Sequence, residues 1–319
     1  MRKTTIAGLI LLSFCIACRF CRPVADFYAI NVYPLISSVL SFVASALPVS
    51  LEEIAVLGFV LAFIVTLVWS IGKKKGFFRW LGKIAVLLMW LYVWFYMGWG
   101  NNYYRTGLYR RSGIEMVSYE QEEFNRFLAE FTDGLNSAAA AAGEYDRGEV
   151  ETEIKAFYSE RVSPCGYSRL HSWQHVKRPL LDFEYPFTLA HEMGHLAGVT
   201  SEAEANYWGF VFCRDCPNAA VRYSGYQAIL PYVLSNAWNL LPEDEFNAWK
   251  ETVCLKARED YSASRQFWIG KRVGWIDRFQ SRFYNLYLRS NGISEGLKDY
   301  FGVVEMIMTM DASRPSVQQ

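Results

Sequence analysis

Histidine is scarce in this chain: there are four in 319 residues, and none before position 171. Acidic residues are nearly missing from the first third, where residues 1–111 hold 12 Lys/Arg against 3 Asp/Glu. Runs of alternating polar and apolar residues are few, which argues against a β domain and for a mainly α chain. Seven cysteines include Cys15, Cys18 and Cys21 in or beside the first apolar run and the CxxC pair Cys213-Arg214-Asp215-Cys216, and no second pair completes a structural zinc site around the latter. That pair fits a small disulfide loop or two thiols on one helix. Residues 112–319 carry 20 Lys/Arg against 29 Asp/Glu with no basic stripe, so nucleic acid is not an expected partner.

What the first third has instead is long apolar runs. Ile54 to Ile71 is eighteen residues without a charge and Ile84 to Gly100 is seventeen, each close to the length that crosses a bilayer. Trp69, Trp90, Tyr92, Trp94, Tyr96 and Trp99 suit an interfacial aromatic belt. Thr4 to Cys18 is uncharged behind Arg2 and Lys3, with no cleavage site after it, and reads as a short uncleaved span. The stretch between Pro34 and Pro48 covers only about 20 Å as a helix and reads as interfacial or re-entrant. The expectation is therefore a membrane module over residues 1–111, with spans near 4–20, 52–71 and 82–100 and an interfacial helix near 35–47. Its partner is the lipid bilayer. Lys73, Lys74, Lys75, Arg79 and Lys83 sit between the last two spans, hold that loop in the cytoplasm, and put everything after Gly100 on the other side.

Residues 112–319 read as an all-α domain large enough to bury a core. Ser118 and Gln121 suit a capping box, followed by Phe124, Phe127, Leu128, Phe131 and Leu135 at helical spacing, an alanine run and a stop at Gly143. Segments 149–160, 218–240, 243–258, 260–290 and 296–310 also read as helices.

Two of the four histidines lie in one pentapeptide, His191-Glu192-Met193-Gly194-His195. Imidazoles four residues apart share a helix face, and the glutamate between them reaches whatever they hold. Pro186 starts that helix, and Gly198 suits the left-handed turn that ends it. A third ligand is expected soon after. Ser201 and Glu204 have capping-box spacing, which gives Glu204 a structural task and prefers Glu202 as the ligand. Asn206, one turn beyond Glu202, would hydrogen-bond a histidine or the glutamate and orient it. The expected centre is zinc (Zn2+) on His191, His195 and Glu202, with Glu192 as general base and Tyr223, or Arg222 beside it, polarising a carbonyl. His171 and His175 read first as polar residues of a loop-rich stretch and second as rivals for that last role.

These motifs, with Trp99-Gly100-Asn101-Asn102-Tyr103-Tyr104-Arg105, Tyr185-Pro186-Phe187-Thr188 and Arg222-Tyr223-Ser224-Gly225-Tyr226, carry a family likeness. The chain resembles the domain of unknown function 3810 family of bacterial membrane proteins. The HExxH with Glu202-Ala203-Glu204-Ala205-Asn206 is also similar to the gluzincin metallopeptidases. The first resemblance implies the bacterial inner membrane. The second implies a zincin-like domain, a peptide or protein substrate, and the ligand and base assignments above. Two other readings stand beside the peptidase: a zinc hydrolase of a non-peptide envelope amide or ester, and a metal-stabilised scaffold without activity.

Overall fold

The computed structural model describes residues 2–45, 51–72, 77–115, 120–163, 180–271 and 302–312, with residues 282, 286, 290 and 291. Among the described residues there is no strand. The described residues form two compact units, which divide between Thr106 and Gly107.

The first unit holds α1 (Arg2–Phe20), α2 (Arg22–Phe27), α3 (Tyr33–Ser45), α4 (Leu51–Gly72) and α5 (Phe77–Gly98), then a 3-10 turn, Gly100–Tyr104. Among the described residues, three stretches are long and apolar enough to cross a membrane: Lys3–Phe20, Arg22–Val43 and Trp80–Gly98. Ile54–Trp69 of α4 is a shorter apolar stretch. Phe59 meets Trp94 and Lys83 lies over the Trp69 ring, so α4 and α5 run antiparallel. Gly8 packs on Met89 and Trp90 while Cys15 lies by Asn101, so α1 and α5 run in the same sense.

The expected short helix near 35–47 is longer than its prolines suggested. A π turn, Tyr28–Val32, joins α2 to α3, and the helix runs through Pro34. The wide turn just before the proline absorbs the missing hydrogen bond and the ring's bulk. The contacts of this long helix gather at one end of its neighbours. Tyr28 donates to the Met97 carbonyl at 2.8 Å, Leu40 lies against Gly98, and Tyr28 and Tyr33 share a cluster with Phe14, Trp99 and Tyr104. Its outer side is apolar, with Leu35, Val39 and Phe42 exposed, while Ser41 is buried.

The second unit holds α6 (Leu108–Ser112), α7 (Gln121–Ala141), α8 (Arg147–Phe157), α9 (Tyr185–Leu196), α10 (Glu202–Asp215), α11 (Ala219–Leu240), α12 (Glu243–Thr252), α13 (Leu255–Lys271) and α14 (Val303–Ala312). α7 buries Phe124, Phe127, Leu128, Phe131 and Leu135, the face its periodicity predicts. It begins at Gln121 with Glu120 as its N-cap, and Ser118 lies outside the described residues. α10 is the central helix. Every residue from Glu202 to Cys213 is buried, as befits a segment of small and aromatic residues without a polar face. α9, α11 and α14 pack around it.

The segment expected as one helix over 243–258 is two. Asn136 of α7 explains the break: its Nδ2 donates to the Thr252 carbonyl at 2.8 Å and its Oδ1 accepts from Cys254 N at 2.8 Å. One side chain thus satisfies the backbone groups that the interrupted helix leaves open. Of the helices expected over 260–290 and 296–310, the described parts are α13 to Lys271, the helical residues 282, 286 and 290, and α14.

Candidate metal centre

α9 and α10 form the centre, and the local sequence explains how closely they approach. Pro186 stands in the first turn of α9, where its missing N–H costs nothing. The Phe187 N–H, an orphan of that first turn, donates to Ser224 Oγ of α11 at 3.1 Å. Glu184, just before the helix, accepts from Leu181 N, Ser264 Oγ and Trp268 Nε1. Gly194 lies against the Tyr158 hydroxyl and Ala205, and Gly209 of α10 against Phe187 and the His191 backbone. A Cβ at Gly194 would collide with the Tyr158 hydroxyl, and one at Gly209 would be a tight fit against Phe187.

Gly198, at φ 97°, closes α9 in the left-handed conformation that glycine adopts without strain. The reversal returns Val199 N to the Gly194 carbonyl at 3.0 Å and brings the Val199 carbonyl to His195 Nδ1 at 2.8 Å. That carbonyl requires a proton on Nδ1, so in the neutral ring Nε2 presents its lone pair. Ser201 then caps α10, accepting from Glu204 N at 3.3 Å.

Three ligand atoms converge. His195 Nε2 lies 3.1 Å from His191 Nε2, and Glu202 Oε2 lies 3.3 Å from the first histidine's Nε2 and 3.4 Å from the second's. His191, His195 and Glu202 are the group among the described residues that could hold a metal ion. Burial pushes the Glu202 carboxyl up, but bonds from His191 and His195 outweigh it and hold the group well below its usual range. Burial alone would push His195 down; the Glu202 carboxylate, the Val199 carbonyl and the charge of Glu192 outweigh that and raise it. Glu192 is half-buried on α9 between the two ligands. His191 Nδ1 is buried and makes no hydrogen bond.

Other expected residues are placed differently. Glu204 is buried, but its Oε1 accepts from Trp208 Nε1 at 3.3 Å and faces Arg111 at 3.8 Å. It points away from the three ligands because residues two apart diverge around a helix. Asn206 is buried and lies beside Tyr232 of α11. Tyr223 is also turned elsewhere. Its hydroxyl donates to Asp260 Oδ2 at 2.6 Å under Lys256, which ties α11 to α13. Its neighbour Ser224 is the residue that faces α9, and a helix turns consecutive side chains about 100° apart. Arg222 clamps the carbonyls of Cys216 and Pro217. Cys213 and Cys216 are free thiols, the second donating to Glu153 Oε2 at 3.3 Å. His171 and His175 lie outside the described residues.

Two residues of this region escaped sequence reasoning. Tyr232 of α11, pushed up by burial, lies beside Asn206 and within range of the Glu202 charge. Tyr158 donates to the Ala190 carbonyl at 2.6 Å and fills the space that Gly194 leaves. Neither carries a spacing signal; the π turn at Tyr158–Val162 is visible only in the structure.

No curated protein and no solved structure matches this chain. A family model described as Protein of unknown function (DUF3810) matches residues 28–181 and 173–308, and the chain belongs to that family.

Proposed function

We propose that this member of the family is a membrane-anchored zinc metallopeptidase whose zincin-like, gluzincin-type domain lies outside the cytoplasm of a bacterial cell. One observation carries the reading: the three donor atoms stand 3.1, 3.3 and 3.4 Å apart. A tetrahedral zinc with bonds of about 2.0–2.1 Å spaces its ligand atoms about 3.3–3.4 Å apart. Two imidazole nitrogens and one carboxylate oxygen are also the donor set of a hydrolytic zinc that keeps a position open. Zinc bound there would supply a Lewis acid and lower the pKa of water.

The chain's own residues do the rest. His191, His195 and Glu202 hold the ion, and the Val199 carbonyl keeps His195 in the tautomer that binds. Glu192 takes a proton from water as the general base and passes it to the leaving amine nitrogen of the cleaved peptide. The outward placement rests on the cation cluster from Lys73 to Lys83.

The test uses the full chain in detergent, with metal analysis and a peptide-library digest. Stoichiometric zinc and peptide cleavage are expected. Glu202→Ala should lose the metal. Glu192→Gln should keep metal and fold while cleavage falls about a hundred- to ten-thousand-fold. Undiminished cleavage by Glu192→Gln would remove that residue from the chemistry. Zinc binding with cleavage of amide or ester analogues but no peptide would replace the peptidase by the envelope hydrolase.

A further inference from the structure

α10 carries two buried carboxylates in its first turn, and the zinc reading uses only Glu202. Glu204 is 7% exposed, and its neighbours are Trp208 Nε1 and Arg111 Nη2. Both partners of the ion pair are shielded, with 17% of the Arg111 side chain and 9% of the Glu204 side chain open to solvent. An ionised carboxylate at that depth needs a compensating charge as well as hydrogen bonds. Trp208 supplies a neutral donor, and Arg111 supplies the charge.

Arg111 comes from α6, the first element of the second unit. α6 is seated there by more than this pair. Leu108 is buried, and Tyr109 lies beside Thr309 of α14 and within range of Glu204, Tyr207 and Glu305. The single turn of α6 therefore lies near α10 and α14, beside the start of the ligand helix. Ser201, Glu202 and Glu204 share that start, since the Ser201 hydroxyl caps the Glu204 N–H.

We propose that Arg111 is a positioning residue of the metal centre: by holding Glu204 it sets the first turn of α10, and with it the Glu202 ligand. The inference rests on the metal reading above. Its sign separates it from simple electrostatics. Through space, removing a cation would tighten the binding of a divalent ion. Through position, removing Arg111 lets Glu204 turn toward solvent, shifts the first turn and loosens the ion.

The experiment measures zinc affinity of the full chain in detergent by competition with a chromophoric chelator. Arg111→Gln should weaken zinc binding about tenfold or more, the range seen when a group supporting a metal ligand is lost. Arg111→Lys, which keeps the charge, should recover part of it. Glu204→Gln removes the charge that Arg111 holds, so adding Arg111→Gln to it should change affinity little. If Arg111→Gln alone does not fold, that double variant, which has lost both charges, is the comparison that decides. Unchanged or tightened zinc binding in folded Arg111→Gln, or a further loss in the double variant beyond Glu204→Gln, would overturn the proposal. A natural chain that binds zinc while Arg111→Gln binds it equally sinks only this inference; a natural chain that binds none sinks the metal reading with it.

Discussion

His195 is held from two sides, by the Val199 carbonyl at Nδ1 and by Glu202 at Nε2, and this gives the centre opposite pH behaviour with and without metal. In the metal-free chain His195 is raised above its ordinary 6.5, so its contribution to stability is complete below that pH and is lost as pH rises through the raised value. Glu202 is lowered from 4.5, so its contribution is present above that pH and disappears only as pH falls through the depressed value. The pair thus stabilises the metal-free fold most between those two ordinary values. Zinc bound at this centre would have to displace the His195 proton, so its affinity would grow as pH rises. From pH 6 to pH 8 the Tm of the metal-free chain should fall slightly while the increment from added zinc grows. Thermal melts at both pH values check this; a zinc increment that shrinks with rising pH would mean that the ion does not compete for this histidine.

At the scale of elements, the decisive contacts are close approaches between helices. The HExxH spacing was legible because two histidines on one turn need only the helix they belong to. The approach of α10 was not, since it depends on which small residues meet across an interface. Gly225 of α11 illustrates this: a side chain there would collide with Cβ of Cys213 on α10. Gly225→Ala is expected to destabilise the chain by about 1–3 kcal/mol, the usual cost of overpacking a filled core. Urea unfolding measures it, and an unchanged midpoint would show that α10 and α11 can part without cost. Tyr223 shows the same limit from the other side. Its place after the ligand helix suggested a role at the metal, but the 100° step from Ser224 turns it to Asp260. The break after α12 likewise depends on Asn136, more than a hundred residues away in the chain.

For the whole molecule, charge and apolar length speak to membrane topology. α1 and α5 run in the same sense with α4 opposed, and the helix through Pro34 meets both α1 and α5 at one end. That arrangement is compatible with crossings by α1, α4 and α5, with the Arg22–Val43 helix meeting α1 and α5 at one end. It would place Arg2 and Lys3 on the same side as Lys73–Lys83, as the excess of cations in cytoplasmic loops requires. A reporter fused after Gln319 that is active only outside the cytoplasm should work, and so should an accessible cysteine label at Leu35 applied from outside. A fusion active only in the cytoplasm would invert the topology.

Local pattern alone determined the helical character, the apolar stretches of the first unit, the buried face of α7, and the pentapeptide with Gly198 and Ser201 after it. Each depends on residues within a turn or two of one another, where backbone geometry leaves few choices. Which carboxylate joins the histidines was only a preference at that level, because Glu202 and Glu204 share one helical turn and both suit a first-turn position. The tertiary structure decided it. Packing of α9 against α10 turns Glu202 to the imidazoles, while Arg111 and Trp208 occupy Glu204 from the opposite side. Arg111 is ninety-three residues before Glu204, and no spacing rule reaches that far; only burial, which makes an uncompensated carboxylate costly, selects such a partner.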